Sequence, residues 1–237
     1  MSVREIQKAM LKQVALALDE LRETVTFIGG CTTALLITDE FTVEQVRHTE
    51  DVDLIVSVMG YVEYNKLTDQ LKSHGFIEAS RLEEDWPMCA MKLGDLRVDI
   101  MPDDETIDGF SRTLLGFSNP WYKYAMESAI DYKLDETLTI KVVNSIAFVA
   151  TKLEAYKCRG KQDPLASHDI EDLLNLIDGR ESLATEIQNA PEGVKAYIAQ
   201  EIQTLMKIND FGYAVQNITN GNQDREDIIY ERLTAIS

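Results

Sequence analysis

The chain has 237 residues, of which 45% are hydrophobic and 27% charged, and it carries a formal net charge of −18 at pH 7. That balance excludes general disorder, and the acidity excludes broad, phosphate-neutralising contact with nucleic acid. No apolar run reaches the ~20 residues of a membrane span, no secretory leader pattern is visible, and Cys31, Cys89 and Cys158 lie too far apart for a CxxC pair. The expected compartment is the cytoplasm.

In chain order, Ile6, Met10, Val14, Leu18 and Leu21 recur near one helical face and predict a helix over 4–22. Val25 to Ile28 reads as a short strand that stops at Gly29-Gly30, with a short helix over Thr32 to Thr38 beyond it. Residues 39–49 read as a polar loop and Asp51 to Val58 as a second strand. Val62 to Ser73 reads as a helix closed by Gly75. Met88 to Leu93 and Leu96 to Met101 flank Gly94-Asp95, a hairpin pattern. Residues 103–125 look irregular, and Leu138 to Val143 reads as a further strand. Helical periodicity then runs over about 144–158, 167–178, 182–189, 191–208 and 223–235. Strands crowd the first part and helices the second. The expected architecture is an α+β domain over 1–137, a mixed sheet with flanking helices, followed by a helical domain over 138–237.

Three acids sit in these strands. Side chains at i and i+2 of a strand share a face, so Asp51 and Asp53 point the same way while Val52 and Leu54 point to the other. In "RVDIM", Asp99 stands between Val98 and Ile100. If the two strands are neighbours, three carboxylates converge. Two like charges ~4 Å apart repel by roughly 4 kcal/mol at an effective dielectric near 20, so the cluster needs protons or a cation. Oxygen-only ligands suit Mg2+ or Mn2+. Gly29 and Gly30 would let backbone N–H groups approach a phosphate closely.

Each feature also has a plainer reading. The glycine pair can be a simple turn, the Asp51-Val52-Asp53 segment a solvated strand edge, and Asp99 a cap of the Gly94-Asp95 hairpin region or a partner of Arg97. Lys152 lies on the flank of a helix whose apolar face is Ile146, Val149, Ala150 and Leu153. Asp169 and Asp172, at i and i+3, can serve a site or pair with Arg159 and Lys161. The segment Thr151 to Lys161 is a basic island in an acidic chain. His48 and His168 lack metal-ligand spacing. The aromatic run "NPWYKYAM" can stack a base or form an interdomain packing patch.

The order strand, Gly29-Gly30, "EDVDLIV", then "RVDIM" resembles the DNA polymerase beta-like nucleotidyltransferase superfamily. "GGCTTALL", with Arg47 shortly before "TEDVDL", and "ATKLEAYKCRGKQDPLASHDIEDLLNL" further on look similar to the AbiEii/AbiGii toxin-type nucleotidyltransferases. The resemblance spans about residues 25–178. It implies an enzyme that moves an NMP from an NTP to a hydroxyl acceptor, with Mg2+ or Mn2+ held by Asp51, Asp53 and Asp99. It also implies that Asp99 helps deprotonate the acceptor. Gly29, Gly30, Thr32, Lys152 and Arg159 would bind the NTP, and Asp169 would be a further functional acid. The acceptor stays open between a tRNA 3′ end, a protein hydroxyl and a small molecule, and a nucleotide-binding relic without activity is the remaining alternative. The toxin-type resemblance implies a cognate antitoxin protein as a partner, and no membrane.

Overall fold

In the computed structural model, which describes residues 2–57, 60–78, 89–103, 119–159 and 163–237, the first helix, α1 (Val3–Leu18), opens on a capping box. The Ser2 hydroxyl accepts from the Glu5 N–H, and the Glu5 carboxylate accepts from the Ser2 N–H. Its buried face is Val3, Gln7, Leu11, Val14 and Leu18, with Ile6 and Met10 only half-buried. The helix stops short of the expected residue 22. Asp19 takes φ +51°, outside the helical region, and a 3₁₀ turn over Asp19–Thr24 leads into the sheet.

Among the described residues the sheet has seven strands. They are β1 (Val25–Ile28), β2 (Asp51–Val56), β3 (Ile77–Glu78), β4 (Ala90–Leu93), β5 (Leu96–Pro102), β6 (Ile130–Lys133) and β7 (Thr139–Val142). Their order is β3-β4-β5-β2-β1-β7-β6. β2 runs parallel to β5 and β1 parallel to β7, while the other pairs are antiparallel, so the sheet is mixed. The expected β4–β5 hairpin forms around Gly94, at φ +64°. One face of the sheet carries Phe27, Val52, Leu54, Val98 and Ile100, all essentially excluded from water. The helix α4 (Tyr61–Ser73) sends the buried Tyr64 hydroxyl onto the Ile100 carbonyl, 3.1 Å away.

The stretch read as irregular yields the helix α5 (Tyr122–Glu127), within the aromatic run. Tyr122 is buried, with its hydroxyl 3.2 Å from Met101 Sδ, so that ring packs internally. β6 was also not expected. At four residues its Ile130-Asp131-Tyr132-Lys133 alternation is too short to stand out, its side chains are mostly exposed, and it pairs along β7. Asp135 ties the connecting turn by accepting from the Thr137 and Leu138 N–H groups. Met88, most of 103–125 and Lys161 lie outside the described residues.

By proximity of the backbone the chain forms two units, Met1–Thr32 with His48–Asn144, and Thr33–Arg47 with Ser145–Ser237. The first is the sheet unit. The second contains α2 (Thr33–Leu36), α3 (Glu40–Val43), α6 (Ser145–Arg159), α7 (His168–Gly179), α8 (Leu183–Gln188), α9 (Glu192–Leu205), α10 (Phe211–Thr219) and α11 (Gln223–Ile236). Sequence periodicity did not mark α10, whose β-branched and glycine content is a poor helix signal. It is helical because Phe211, Ala214 and Val215 are buried, and Asn220 closes it in the left-handed region at φ +52°.

Residues 39–49, read as a loop, contribute α3 to the helical unit. The Gly179 carbonyl at the end of α7 accepts from the N–H groups of Thr38 and Asp39, both at 2.9 Å. Arg225 on α11 completes the attachment. Its guanidinium reaches Asp178 Oδ2 at 2.5 Å, Asp39 Oδ2 at 3.2 Å and the Thr42 hydroxyl, and it lies over the Phe41 ring.

Gly179 has no room for a side chain, because a Cβ there would meet Ile37 Cγ2 at 2.5 Å and Thr42 Cγ2 at 2.9 Å. Gly193, on α9, would meet nothing within 4 Å. Gly179→Ala should therefore cost about 1–3 kcal/mol through overpacking. Gly193→Ala should stabilise by up to about 1 kcal/mol through helix propensity. Urea denaturation of the two variants checks the opposite signs.

Candidate metal centre

The apolar half of each strand positions the acids. Val52 and Leu54 of β2, and Val98 and Ile100 of β5, are buried on one face, so the alternate residues Asp51, Asp53, Arg97 and Asp99 occupy the other. The parallel register sets Asp53 directly beside Asp99 and Asp51 beside Arg97. One carboxylate oxygen from each of Asp51, Asp53 and Asp99 lies within 4.8 Å of the other two. Asp99 is buried, while Asp51 and Asp53 are half-buried.

Arg97 grips Asp99 with both arms of its fork, Nε to Oδ1 at 2.8 Å and Nη2 to Oδ2 at 2.5 Å. The hydrogen bonds to Asp99, opposed by burial and reinforced by the charges of Asp99, Asp51 and Asp53, raise the Arg97 guanidinium above its ordinary value. Burial, with Asp99 and Asp53 close by, pushes the Cys89 thiol well up, so Cys89 stays protonated at neutral pH.

The glycine pair meets the acids at Gly29. Its φ is +83°, and a Cβ there would sit 1.8 Å from Asp53 Oδ2. Glycine is thus required twice, for the backbone conformation and for the approach of the β1 end to the Asp53 carboxylate. The turn is braced from within. The Thr32 hydroxyl donates to the Gly29 carbonyl at 2.8 Å, and the Gly30 carbonyl accepts from Gln7 Nε2 at 3.3 Å. Thr32 is fully buried, and the helix beyond it, α2, has four residues rather than the expected longer run.

The remaining predicted residues form a second cluster, inside the helical unit. Lys152 Nζ lies 2.6 Å from Asp172 Oδ2 and 3.2 Å from Asp169 Oδ1. Arg159 forks onto Asp169, both contacts at 3.1 Å. Arg47 reaches Asp172 at 3.3 Å and Glu171 at 3.7 Å. Lys152 is 7% exposed and Asp172 fully buried. Burial works to raise the Asp169 carboxyl, and the Lys152 and Arg159 charges outweigh it, holding Asp169 below its ordinary range. Burial likewise works to lower the Lys152 ammonium, and Asp172 and Asp169 outweigh it, so it is raised. His168 is exposed and faces Glu171 at 3.2 Å.

Sequence reasoning placed Arg97 only as a partner of Asp99, although its i−2 position on the strand already put it on the acid face. Asn175 had no sequence signal. It is buried one turn beyond Asp172, with neither amide atom bonded among the described residues.

The donor set fits a hard divalent cation. It consists of oxygens only, it converges on one point, and two of its three members reach toward solvent, which leaves positions open for water or phosphate. No protein-family model matches the chain, and no curated protein matches it. What fold and site define is an α+β protein with a mixed sheet and an acidic triad that could hold a metal ion.

Two outcomes test this site. Gly75, at φ +90°, would meet nothing within 4 Å if it carried a Cβ, so Gly75→Ala should cost only left-handed strain, about 1–2 kcal/mol. Gly29→Ala should cost more and also lose any Mn2+-dependent rise in melting temperature. In the helical unit, the folded Asp169 carboxyl lies below its unfolded value of about 3.9. Its stabilisation is therefore full above that pH and is lost as pH falls through the folded value. Asp169→Asn should be less stable than wild type at pH 7, and the gap should narrow at pH 3, as read by urea denaturation.

Proposed function

We propose that the protein is a metal-dependent nucleotidyltransferase, which transfers an NMP from an NTP to a hydroxyl acceptor. The observation that carries this reading is the register of Asp53 beside Asp99, with Asp51 on the same face and Gly29 against the Asp53 carboxylate. Asp51 and Asp53 would hold Mg2+ or Mn2+, and Asp99 would complete the set and draw the proton from the attacking hydroxyl. When bound, such a cation neutralises charge developing on the attacking and leaving oxygens. The tight turn at Gly29 and Gly30, kept in shape by Thr32, would leave backbone N–H groups free to meet phosphate oxygens.

The resemblance gives Lys152 and Arg159 positive charge toward a nucleotide phosphate. Lys152 is enclosed by Asp169 and Asp172, so it would meet a phosphate only by exchanging a carboxylate for it. Asp169, held ionised, would keep both bases oriented. The toxin-type resemblance favours a tRNA 3′ end as acceptor and a cognate antitoxin protein as partner. The net charge of −18 favours a second reading, transfer to a small-molecule or protein hydroxyl, because a polyanionic acceptor would be repelled as it comes within the ~8 Å screening length. A relic that only binds nucleotide is disfavoured by three intact acids on one face.

The test incubates the protein with Mg2+, each labelled NTP in turn, and total cell RNA or lysate. Wild type should label an acceptor. Asp53→Asn should label it at least about a hundredfold more slowly while keeping its melting temperature. Label on RNA supports the toxin-type reading, and label on a small compound or protein supports the second. Absence of label with every NTP overturns transferase activity.

A further inference from the structure

The acid face carries one element that the metal reading leaves unused. Arg97 sits in register with Asp51, two positions along from the Asp53–Asp99 pair and so on the same side of the sheet. Its fork occupies both oxygens of Asp99, the most deeply buried of the three acids. Lys92 of β4 is its register partner on the other side. The face therefore holds three carboxylates and, within bonding distance of one of them, a guanidinium.

A guanidinium and a divalent cation cannot share one carboxylate without mutual repulsion. At ~4 Å even a pair of single positive charges costs roughly 4 kcal/mol at an effective dielectric near 20. Arg97 also supplies what the acids need in the absence of a metal, since it offsets part of their repulsion. Resting on the nucleotidyltransferase reading, we propose that Arg97 is an exchangeable counter-ion. It holds Asp99 while the site lacks a cation, and it transfers its fork to a phosphate of the incoming nucleotide when Asp99 turns to the metal. The planar fork suits the second partner as well as the first, because carboxylate and phosphate both accept two parallel N–H donors. No bond is made or broken in the exchange. One charge-assisted pair is replaced by another, and the cation takes over the acids.

The exchange has two consequences of opposite sign. Without nucleotide, Arg97 competes with the cation for Asp99. With nucleotide, Arg97 recruits the phosphate that the cation also binds. A residue that merely braced β5 would give neither.

Mn2+ binding by wild type, Arg97→Gln and Arg97→Lys separates these cases. Free Mn2+ is followed by electron paramagnetic resonance during titration, without nucleotide and then with a non-hydrolysable NTP analogue. Arg97→Gln should bind Mn2+ about tenfold tighter than wild type without nucleotide, as expected when a bidentate charge-assisted pair need not be broken. It should bind the analogue with Mn2+ about tenfold more weakly. Arg97→Lys keeps the charge but loses the fork, and should shift in the same directions by less. It carries the test if the neutral variant does not fold. Mn2+ affinity without nucleotide that is unchanged or lower in both variants overturns the counter-ion role while the metal reading stands. Absence of Mn2+ binding by wild type and both variants overturns the nucleotidyltransferase reading itself.

Discussion

The parallel pairing of β2 with β5 is the constraint on which the site depends. Asp53 lies beside Asp99 because Val52, Leu54, Val98 and Ile100 must all be buried on the opposite face. A slip of one residue would turn the apolar side chains of one strand, Val52 and Leu54 or Val98 and Ile100, to solvent and bring that strand's carboxylates into the core. Each buried apolar side chain of that size contributes about 1.5–3 kcal/mol, and a slip would also bury the slipped strand's charges, so the hydrophobic face sets the register in spite of the acids. The repulsion among Asp51, Asp53 and Asp99 is thus imposed on them by packing elsewhere. A like-charge cluster that would scatter on a mobile loop is held together on a sheet.

The helical unit handles buried charge differently. Lys152, Arg159 and Arg47 face Asp169, Asp172 and Glu171, so the charges there balance. Removing two charges from water is repaid only when geometry and further hydrogen bonds are good, and such a network serves orientation more than stability. Asp172 is incompletely satisfied, for its Oδ1 has no partner among the described residues. The neighbouring Asn175 amide is in the same condition, and buried water is the usual answer to such groups. The sheet unit thus gathers three acids around one guanidinium, with Asp51 and Asp53 half-exposed, while the helical unit matches its acids with as many bases.

Much of this was legible in the residues. The alternation around Asp51, Asp53 and Asp99 gave both strands and the shared face, because period-two burial is a local signal. The β4–β5 hairpin was equally local, written in Gly94. The failures share a cause. β6 alternates over only four residues and is held by pairing with β7, and α10 is held by burial of Phe211 and Val215, so neither carries a local pattern long enough to mark it. The face of α1 was misjudged because Gln7, a polar residue, is buried to hold the Gly30 carbonyl. The engagement of Arg47 with Asp172 joins residues 125 positions apart, and no window of sequence contains it. The bond from the Thr32 hydroxyl to the Gly29 carbonyl, which closes the turn, also had no signal beyond the place of Thr32 after the glycines.

The membership of residues 33–47 in the helical unit has a consequence for how the chain can be made and divided. The chain passes between the two units three times, so neither is a continuous stretch. A fragment beginning at Ser145 would lack Thr38 and Asp39, whose N–H groups meet the Gly179 carbonyl, and Arg47, which meets Asp172. On the ribosome, α2 and α3 emerge more than a hundred residues before α7, the helix they pack on. Contacts of such long sequence separation form late and slowly. The loop that they close carries the β2 and β5 acids within it. Until α7 arrives, the apolar side chains of that early segment, Ile37 and Val43 among them, lack the helix they pack on, and the helical unit completes only once the last third of the chain is available.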